Sequence, residues 1–125
     1  MSELWPFSQL NPTAVSNLYQ ELAPVYDAVM DHVDYDRWAR YVHQCIQTHA
    51  VAASDGHGTR PLSVLELGCG TGSLACRLQP IGGYRYVLTD GATAMVEEAH
   101  RKVSAETHGV SPEAVTCATA RFPGI

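Results

Sequence analysis

The spacing of hydrophobic residues changes from a helical period to a strand-like one in the middle of the chain. In the amino-terminal part, apolar residues recur three or four positions apart, first over 18–29 and then over 38–49. Pro24 predicts a break in the first helical stretch. The apolar face of the second comprises Trp38, Tyr41, Val42, Cys45, Ile46 and His49. We predict that its aromatic residues pack in the core and that Asp34 or Asp36 caps this helix.

The second half of the chain alternates short apolar runs with helical patterns, after a connection at 52–61 that is rich in Gly, Ser and Pro. The sequence predicts strands at 62–67, 84–90 and 114–120, with a helix stopped by Pro80 and a helix over 93–108 between them. The first strand is predicted to be buried on both faces. Strands that alternate with helices predict a Rossmann-like α/β fold, in which a parallel sheet carries helices on both faces.

Composition and charge limit the possible functional classes. With 125 residues, of which 46% are hydrophobic and 17% charged, the sequence predicts one soluble globular domain. No apolar run approaches the roughly 20 residues that cross a bilayer. The amino terminus lacks a secretion-signal pattern, so we expect a cytoplasmic protein with no membrane partner. A net charge of −5, with only 8 scattered Lys and Arg, argues against nucleic acid binding.

Cysteine and histidine spacing gives no sign of a metal site. The four cysteines, Cys45, Cys69, Cys76 and Cys117, contain no CxxC pair, and the six histidines contain no HxxxH pair. Disulfide frameworks and metal sites usually have tighter spacings. We therefore predict reduced, packed thiols and no metal.

The stretch VLELGCGTG combines a carboxylate with three alternating glycines. Gly68, Gly70 and Gly72 permit positive φ angles and leave the main chain bare, which suits a ligand that lies against backbone. The dinucleotide fingerprint GxGxxG does not fit, because Gly72 follows Gly70 by two residues and Glu66 would repel a pyrophosphate. A second acid, Asp90, closes the second predicted strand at the same edge of the sheet. The pattern favours a ligand with positive charge and no phosphate.

These residues resemble the E/DxGxGxG first motif of class I S-adenosylmethionine-dependent methyltransferases. VLTDGATAMVEEAHRK resembles their second motif, in which an acid ends the second strand and a methionine follows five residues later, as Asp90 and Met95 do. LAPVYDAVMDHVDYDRWARYV is similar to the amino-terminal cap helices of many bacterial members. The resemblance spans roughly 19–123. It implies one domain, with a helical cap at 1–51, a cofactor-binding half at 62–125 and S-adenosylmethionine as cofactor.

The resemblance also implies a set of cofactor-binding residues. They are Tyr26, Glu66, Gly68, Cys69, Gly70, Gly72, Asp90, Gly91 and Met95. Glu66 and the amides of the glycine stretch would hold the amino acid portion, and Asp90 would accept hydrogen bonds from both ribose hydroxyls. Gly91 and Met95 would lie against the adenine, and Tyr26 would close over the methionine end. Two simpler interpretations stay open, namely Asp90 as an acid at a helix N-terminus and Tyr26 as packing between cap and sheet.

The sequence departs from the family's pattern in two places. Thr119 stands where members commonly carry an acid that meets the adenine amino group, so backbone groups would take over that contact. The family's domain continues through a fourth strand and three more, which supply much of the substrate pocket, whereas this chain ends at Ile125. The resemblance therefore implies a fold truncated after the third strand. The catalytic residues and the methyl acceptor stay unknown.

Three functional hypotheses follow. The chain is the cofactor-binding half of a methyltransferase, or a non-catalytic module that binds the cofactor or a partner on the same half-fold. A nicotinamide-dependent oxidoreductase fragment is the third, disfavoured by the glycine spacing. In the family the first strand pairs with the fourth, so truncation would leave an apolar edge at 62–67. We expect that edge either to pair with a second copy or to leave a marginal, aggregation-prone monomer, unless a downstream polypeptide supplies the missing half.

Overall fold

The computed structural model describes residues 18–50 and 61–121. Its helices are α1 (Tyr26–Val29), α2 (Tyr35–His49), α3 (Ser73–Gly82) and α4 (Thr93–Ser104). Its strands are β1 (Ser63–Leu67), β2 (Arg85–Asp90) and β3 (Val115–Thr119). Short 3-10 turns lie at Ala23–Val25, Thr107–Gly109 and Pro112–Ala114. The predicted connection before β1 lies almost entirely outside the described residues, as does the beginning of the predicted cap.

The three strands form a parallel sheet in the order β1-β2-β3. The register places Leu65 opposite Val87 and Asp90 opposite Thr119. This confirms the predicted Rossmann-like α/β sheet, with each strand shorter by one or two residues than its predicted range. Because the strands run in the same direction, the residues that follow β1 and β2 meet at one edge of the sheet.

The core lies between one face of the sheet and the helices α2, α3 and α4. Its fully buried members include Ala39, Ala75, Cys76, Leu78, Tyr84, Tyr86, Leu88, Ala99, Val103 and Val110. Alternate strand residues point into this layer because side chains on a strand alternate between its two faces. Met95, Ala99 and Val103 are buried on α4, as the helical period predicts.

The other face of the sheet is open in the described part of the chain. Leu65 and Leu67 of β1 are 61% and 54% exposed, and the neighbouring Val87 of β2 is exposed as well. We name these three residues the open sheet face. The prediction that β1 is buried on both faces is therefore wrong for the described residues, because the described helices all pack against the opposite face.

The amino-terminal segment, which we define as residues 18–33, follows the predicted break. Residues 18–22 are helical, and the 3-10 turn Ala23–Val25 interrupts the helix at Pro24 before α1 begins. The next helix, α2, is capped by Asp34, whose Oδ1 accepts a hydrogen bond from the Arg37 amide at 3.0 Å. Of the two predicted caps, the structure thus selects Asp34.

The aromatic residues of α2 lie outside the core. Trp38 and Tyr41 are both more than half exposed and contact each other edge to face. The buried line of α2 is instead formed by Ala39, Val42 and Ile46, with Ala39 fully buried in the core. The predicted core packing of Trp38 and Tyr41 is wrong, because the small Ala39 side chain faces the core and the turn of the helix carries both rings outward.

Two predicted helix ends are wrong. Pro80 does not stop α3, which continues to Gly82. The C-cap is Gly83, a left-handed residue with φ +62°. In the last turn a proline removes a single hydrogen bond, and the glycine provides the termination instead. Helix α4 ends at Ser104 rather than near His108. Gly109, with φ +83°, belongs to the 3-10 turn that follows.

Candidate functional site

The glycine turn, which we define as Gly68 to Gly72, joins β1 to α3 at the carboxyl edge of the sheet. Its three glycines have φ values of +70°, +57° and +77°, in agreement with the prediction of positive φ angles. The Cys69 amide donates a hydrogen bond to the Thr89 carbonyl of β2 at 2.8 Å. This bond fixes the turn against the end of β2, so that Gly70 lies at the edge where the ligand is predicted.

Asp90 holds the glycine turn from the end of β2. Its Oδ2 accepts a hydrogen bond from the Gly70 amide at 2.9 Å, and its Oδ1 accepts one from the Ala92 amide at the start of α4, also at 2.9 Å. Asp90 lies two residues before the Ala92 N-cap of α4, and the N-cap makes no side-chain hydrogen bond to this helix, so the simpler interpretation of an acid at a helix N-terminus stays a prediction. A carboxylate offers about four acceptor positions, so about two remain for a ligand. Ribose binding by Asp90 stays a prediction.

Glu66 is the second acid of the site. Its Oε1 accepts a hydrogen bond from the Tyr86 hydroxyl at 2.7 Å. Burial raises the pKa of Glu66 above its ordinary value; the bond from Tyr86 opposes that shift and the charge of Asp90 adds to it. The ionised form of Glu66 therefore destabilises the folded chain, and a cationic ligand beside it would reduce that destabilisation.

Replacing Glu66 by Gln is expected to preserve or raise stability near neutral pH. Because the pKa is higher in the folded state, Glu66 makes stability fall as pH rises from its ordinary value of 4.5 through the raised value. Each unit of raised pKa corresponds to about 1.4 kcal/mol. Glutamine keeps an acceptor for Tyr86 without the charge. Urea unfolding from pH 4 to 8 should show this slope reduced in Glu66→Gln and unchanged in Glu113→Gln, an exposed control. Loss of stability at neutral pH would contradict the argument.

Tyr26 of α1 lies above the glycine turn. The nearest carbon of its ring is 3.6 Å from the position that a Cβ at residue 70 would occupy. The ring packs against a small apolar cluster that contains Ala23, Ala92 and the fully buried Met95. The structure therefore brings Tyr26, Gly70 and Met95 to one side of the site, with the ring so close that a Cβ at residue 70 would be in van der Waals contact with it.

Gly72 faces the core instead of the open side of the turn. A Cβ at this position would lie 3.1 Å from the Cβ of Ala99 and 3.5 Å from a methyl group of Leu88. The glycine allows the start of α3 to pack closely on α4 and β2. The prediction that Gly72 lies against a ligand is not supported by this geometry and stays a prediction.

The remaining predicted residues lie around the turn. Cys69 is buried, and burial, with the charges of Glu66 and Asp90, raises the pKa of its thiol to about 12, so it remains protonated. Gly91 directly follows Asp90 and is half-buried. Thr119 is exposed at the end of β3, opposite Asp90 in the register.

Sequence reasoning missed a cluster around the buried side chain of Lys102, which we name the ammonium cluster. Lys102 Nζ lies 2.8 Å from Asp27 Oδ2, 2.8 Å from Ser73 Oγ and 3.3 Å from Thr71 Oγ. The Thr71 hydroxyl in turn donates to Asp27 Oδ1 at 2.5 Å. The signal was available, since Lys102 is the only lysine of the sequence and falls on the apolar face of α4.

The ammonium cluster stabilises the ionised form of Asp27. Burial opposes this, but hydrogen bonds from Lys102, Thr71 and Ser73, with the charge of Lys102, lower the pKa of Asp27 below its ordinary value. Each of the three ammonium protons has an acceptor. Among the described residues, no buried side-chain polar atom lacks a hydrogen-bond partner.

Comparison with known proteins agrees with this geometry. Residues 64–124, which contain all but the first residue of β1, the glycine turn and Asp90, match the family described as "Methyltransferase domain". Over these residues the chain is similar to a class I methyltransferase domain. It is 30% identical over 87 residues to "Putative methyltransferase YqeM" of Bacillus subtilis (strain 168), an alignment that covers 70% of this chain and 30% of that protein.

The chain thus aligns with less than a third of the length of that relative. The described residues contain no helix that is long and apolar enough to cross a membrane. Nor do they contain a group of three or more side chains arranged to hold a metal ion.

Proposed function

We propose that the glycine turn, Glu66 and Asp90 bind S-adenosylmethionine, and that the chain is the cofactor-binding half of a methyltransferase. The observation that carries the proposal is the Asp90 carboxylate bonded to the Gly70 amide, beside a second acid and bare backbone. A phosphate-bearing ligand would be repelled by two carboxylates. A ligand with an ammonium, a sulfonium and a ribose diol suits these two carboxylates, which accept hydrogen bonds and attract positive charge.

The residues at this edge of the sheet would offer matching chemistry to the ammonium, the ribose and the adenine of the cofactor. Glu66 would attract the ammonium, and the remaining acceptor positions of Asp90 would take the ribose hydroxyls. Gly91 would lie against the adenine, with the buried Met95 side chain behind it. The cofactor supplies a methyl group on a positively charged sulfur, and the chain's own residues would orient it and exclude water.

Replacing Asp90 by Ala tests the proposed site. The variant is expected to bind S-adenosylhomocysteine about tenfold to a hundredfold more weakly in calorimetry, since a hydrogen bond to a charged group contributes about 1.5 to 3 kcal/mol. Asp31→Ala, which removes an exposed acid, is the matched control and should bind like the wild type. Equal affinity of Asp90→Ala and the wild type would exclude the assignment. Tighter binding of NAD than of S-adenosylhomocysteine would favour the oxidoreductase alternative.

The methyl acceptor and catalysis by this chain go beyond the cofactor site. The three-stranded sheet with its open face favours, as a second candidate, a non-catalytic module that binds the cofactor and a partner polypeptide. Turnover of radiolabelled S-adenosylmethionine by the purified chain would argue for the enzyme and against the module. A cytoplasmic location stays a prediction from the sequence.

A further inference from the structure

The ammonium cluster joins three separate parts of the chain, namely α1, the glycine turn with the start of α3, and α4. Asp27 belongs to α1, Thr71 lies in the glycine turn, and Ser73 opens α3. Lys102, near the end of α4, contacts all three, and its side chain is only 8% exposed. A buried ammonium with this set of acceptors constrains the distances between the elements that carry them, because it cannot lose a partner without leaving a buried charge unpaired.

The cluster bears directly on Tyr26, which precedes Asp27 in the chain. Helix α1 has four residues, and only Tyr26 packs against the small apolar cluster while the other three are exposed, so apolar contacts alone hold the helix weakly. The polar ties of the amino-terminal segment to the rest of the fold include the ammonium cluster and a bond from the Ala94 amide to Gln20 Oε1 at 2.5 Å. Of these two contacts, the ammonium cluster is the one that involves Asp27, the residue next to Tyr26.

We propose that Lys102 is a positioning residue for the cofactor site. By holding Asp27 against Thr71 and Ser73, its ammonium keeps the ring of Tyr26 above Gly70, where it forms one wall of the site. This inference rests on the proposed cofactor site and adds the residue that couples the amino-terminal segment to it. Loss of the ammonium releases Tyr26, so bound cofactor leaves faster.

A double-mutant cycle separates positioning from a general effect on the fold. Lys102→Met and Tyr26→Ala are each expected to raise the dissociation constant of S-adenosylhomocysteine by roughly tenfold. The double variant should bind no more weakly than Tyr26→Ala alone, since Lys102 acts through Tyr26. Arg101→Met, which removes the neighbouring exposed cation of α4, should leave binding unchanged. Additive losses would overturn the proposal.

The single lysine gives an independent spectroscopic test. In protein labelled with carbon-13 at the lysine side chain, all lysine signal arises from Lys102. Its resonance should shift during titration with S-adenosylhomocysteine and saturate together with the calorimetric isotherm. The shift should disappear in Tyr26→Ala, although that variant still binds at higher ligand concentration. A shift that persists in Tyr26→Ala would overturn the coupling through the ring.

The outcomes distinguish this inference from the proposed function. If the wild-type chain does not bind S-adenosylhomocysteine, the proposed cofactor site is wrong. If it binds and Lys102→Met binds equally well, the site stands and the positioning role is excluded. Should Lys102→Met fail to fold, Ser73→Ala combined with Tyr26→Ala provides the same cycle, because it removes one acceptor of the ammonium. Additivity in that cycle would also overturn the proposal.

Discussion

Replacing Asp27 by Asn is expected to lower the free energy of unfolding by about 3 kcal/mol, the largest stability effect that we predict. The reason is that the two members of the ion pair, Asp27 and Lys102, are unequally exposed. The Lys102 side chain is 8% exposed and that of Asp27 is 48% exposed. Asparagine can still accept a hydrogen bond from Lys102, but it leaves the buried ammonium without a countercharge. Lys102→Met instead leaves a carboxylate that water reaches, and it should cost no more than about 1 kcal/mol.

Asp36→Asn is the matched control for this prediction. Asp36 pairs with Arg77 at 3.1 Å, but its side chain is 64% exposed, so the same substitution should change stability by less than about 1 kcal/mol. Urea unfolding of all three variants at pH 7 measures the differences. Equal losses for Asp27→Asn and Asp36→Asn would mean that the charge of Lys102 is solvated without Asp27. Since the pKa of Asp27 is lowered, its contribution is present above the ordinary value of 3.8 and is lost as pH falls through the folded value.

The parts of the fold that follow from local pattern could be predicted from the sequence. Alternating strands and helices led to the parallel sheet, and the spacing of Met95, Ala99 and Val103 marked the buried side of α4. The positive φ angles of the glycine turn also have a local cause, because glycine adopts them without steric cost. These features depend on residues that are close in sequence.

The errors arose where a distant part of the chain decides the outcome. For α2 the helical period was right, but the orientation differed by one residue, because Ala39 rather than Trp38 meets the core. The sequence of α2 alone does not show that the small Ala39 side chain allows this helix to approach the core closely. The exposure of Leu65 likewise depends on which elements cover the sheet, and an apolar strand has the same sequence whether one face or both are covered.

The candidate site likewise contains residues that a local motif predicts and contacts that depend on distant parts of the chain. Glu66, Gly70 and Asp90 were found because their types and spacing form a motif, and the structure brings Gly70 and Asp90 into contact. The link between Asp27 and Lys102 joins residues 75 positions apart, so no motif contains it. Only the presence of a single lysine on an apolar helix face hinted at a buried cation. The prediction of Asp90 as a ligand group also overlooked its bond to the turn, since both roles need the same carboxylate.

The uncovered side of the sheet leads to the second large effect, a change in association state. Strand β1 is an edge in the described sheet, and Leu65 and Leu67 on it are more than half exposed. The strand contains neither Pro nor Lys, which often protect such edges. We expect the purified chain to form a dimer in which β1 pairs with β1 of a second copy, or to aggregate as a marginal monomer. Pairing about a two-fold axis would join two three-stranded sheets into one.

Replacing Leu65 by Lys is expected to reduce this association, because a charged side chain on an edge strand disfavours pairing with another strand. Light scattering over a range of protein concentrations should give a mass above that of the monomer for the wild type. The Leu65→Lys variant should have the mass of the monomer. Ile81→Lys, an exposed apolar position on α3 away from this face, should associate like the wild type. Hydrogen exchange adds a residue-level test, since pairing protects the amides of β1 in the dimer. A wild-type chain that is monomeric at high concentration, with Val64 and Leu65 amides protected as strongly as those of β2, would show that another part of the same chain covers the edge.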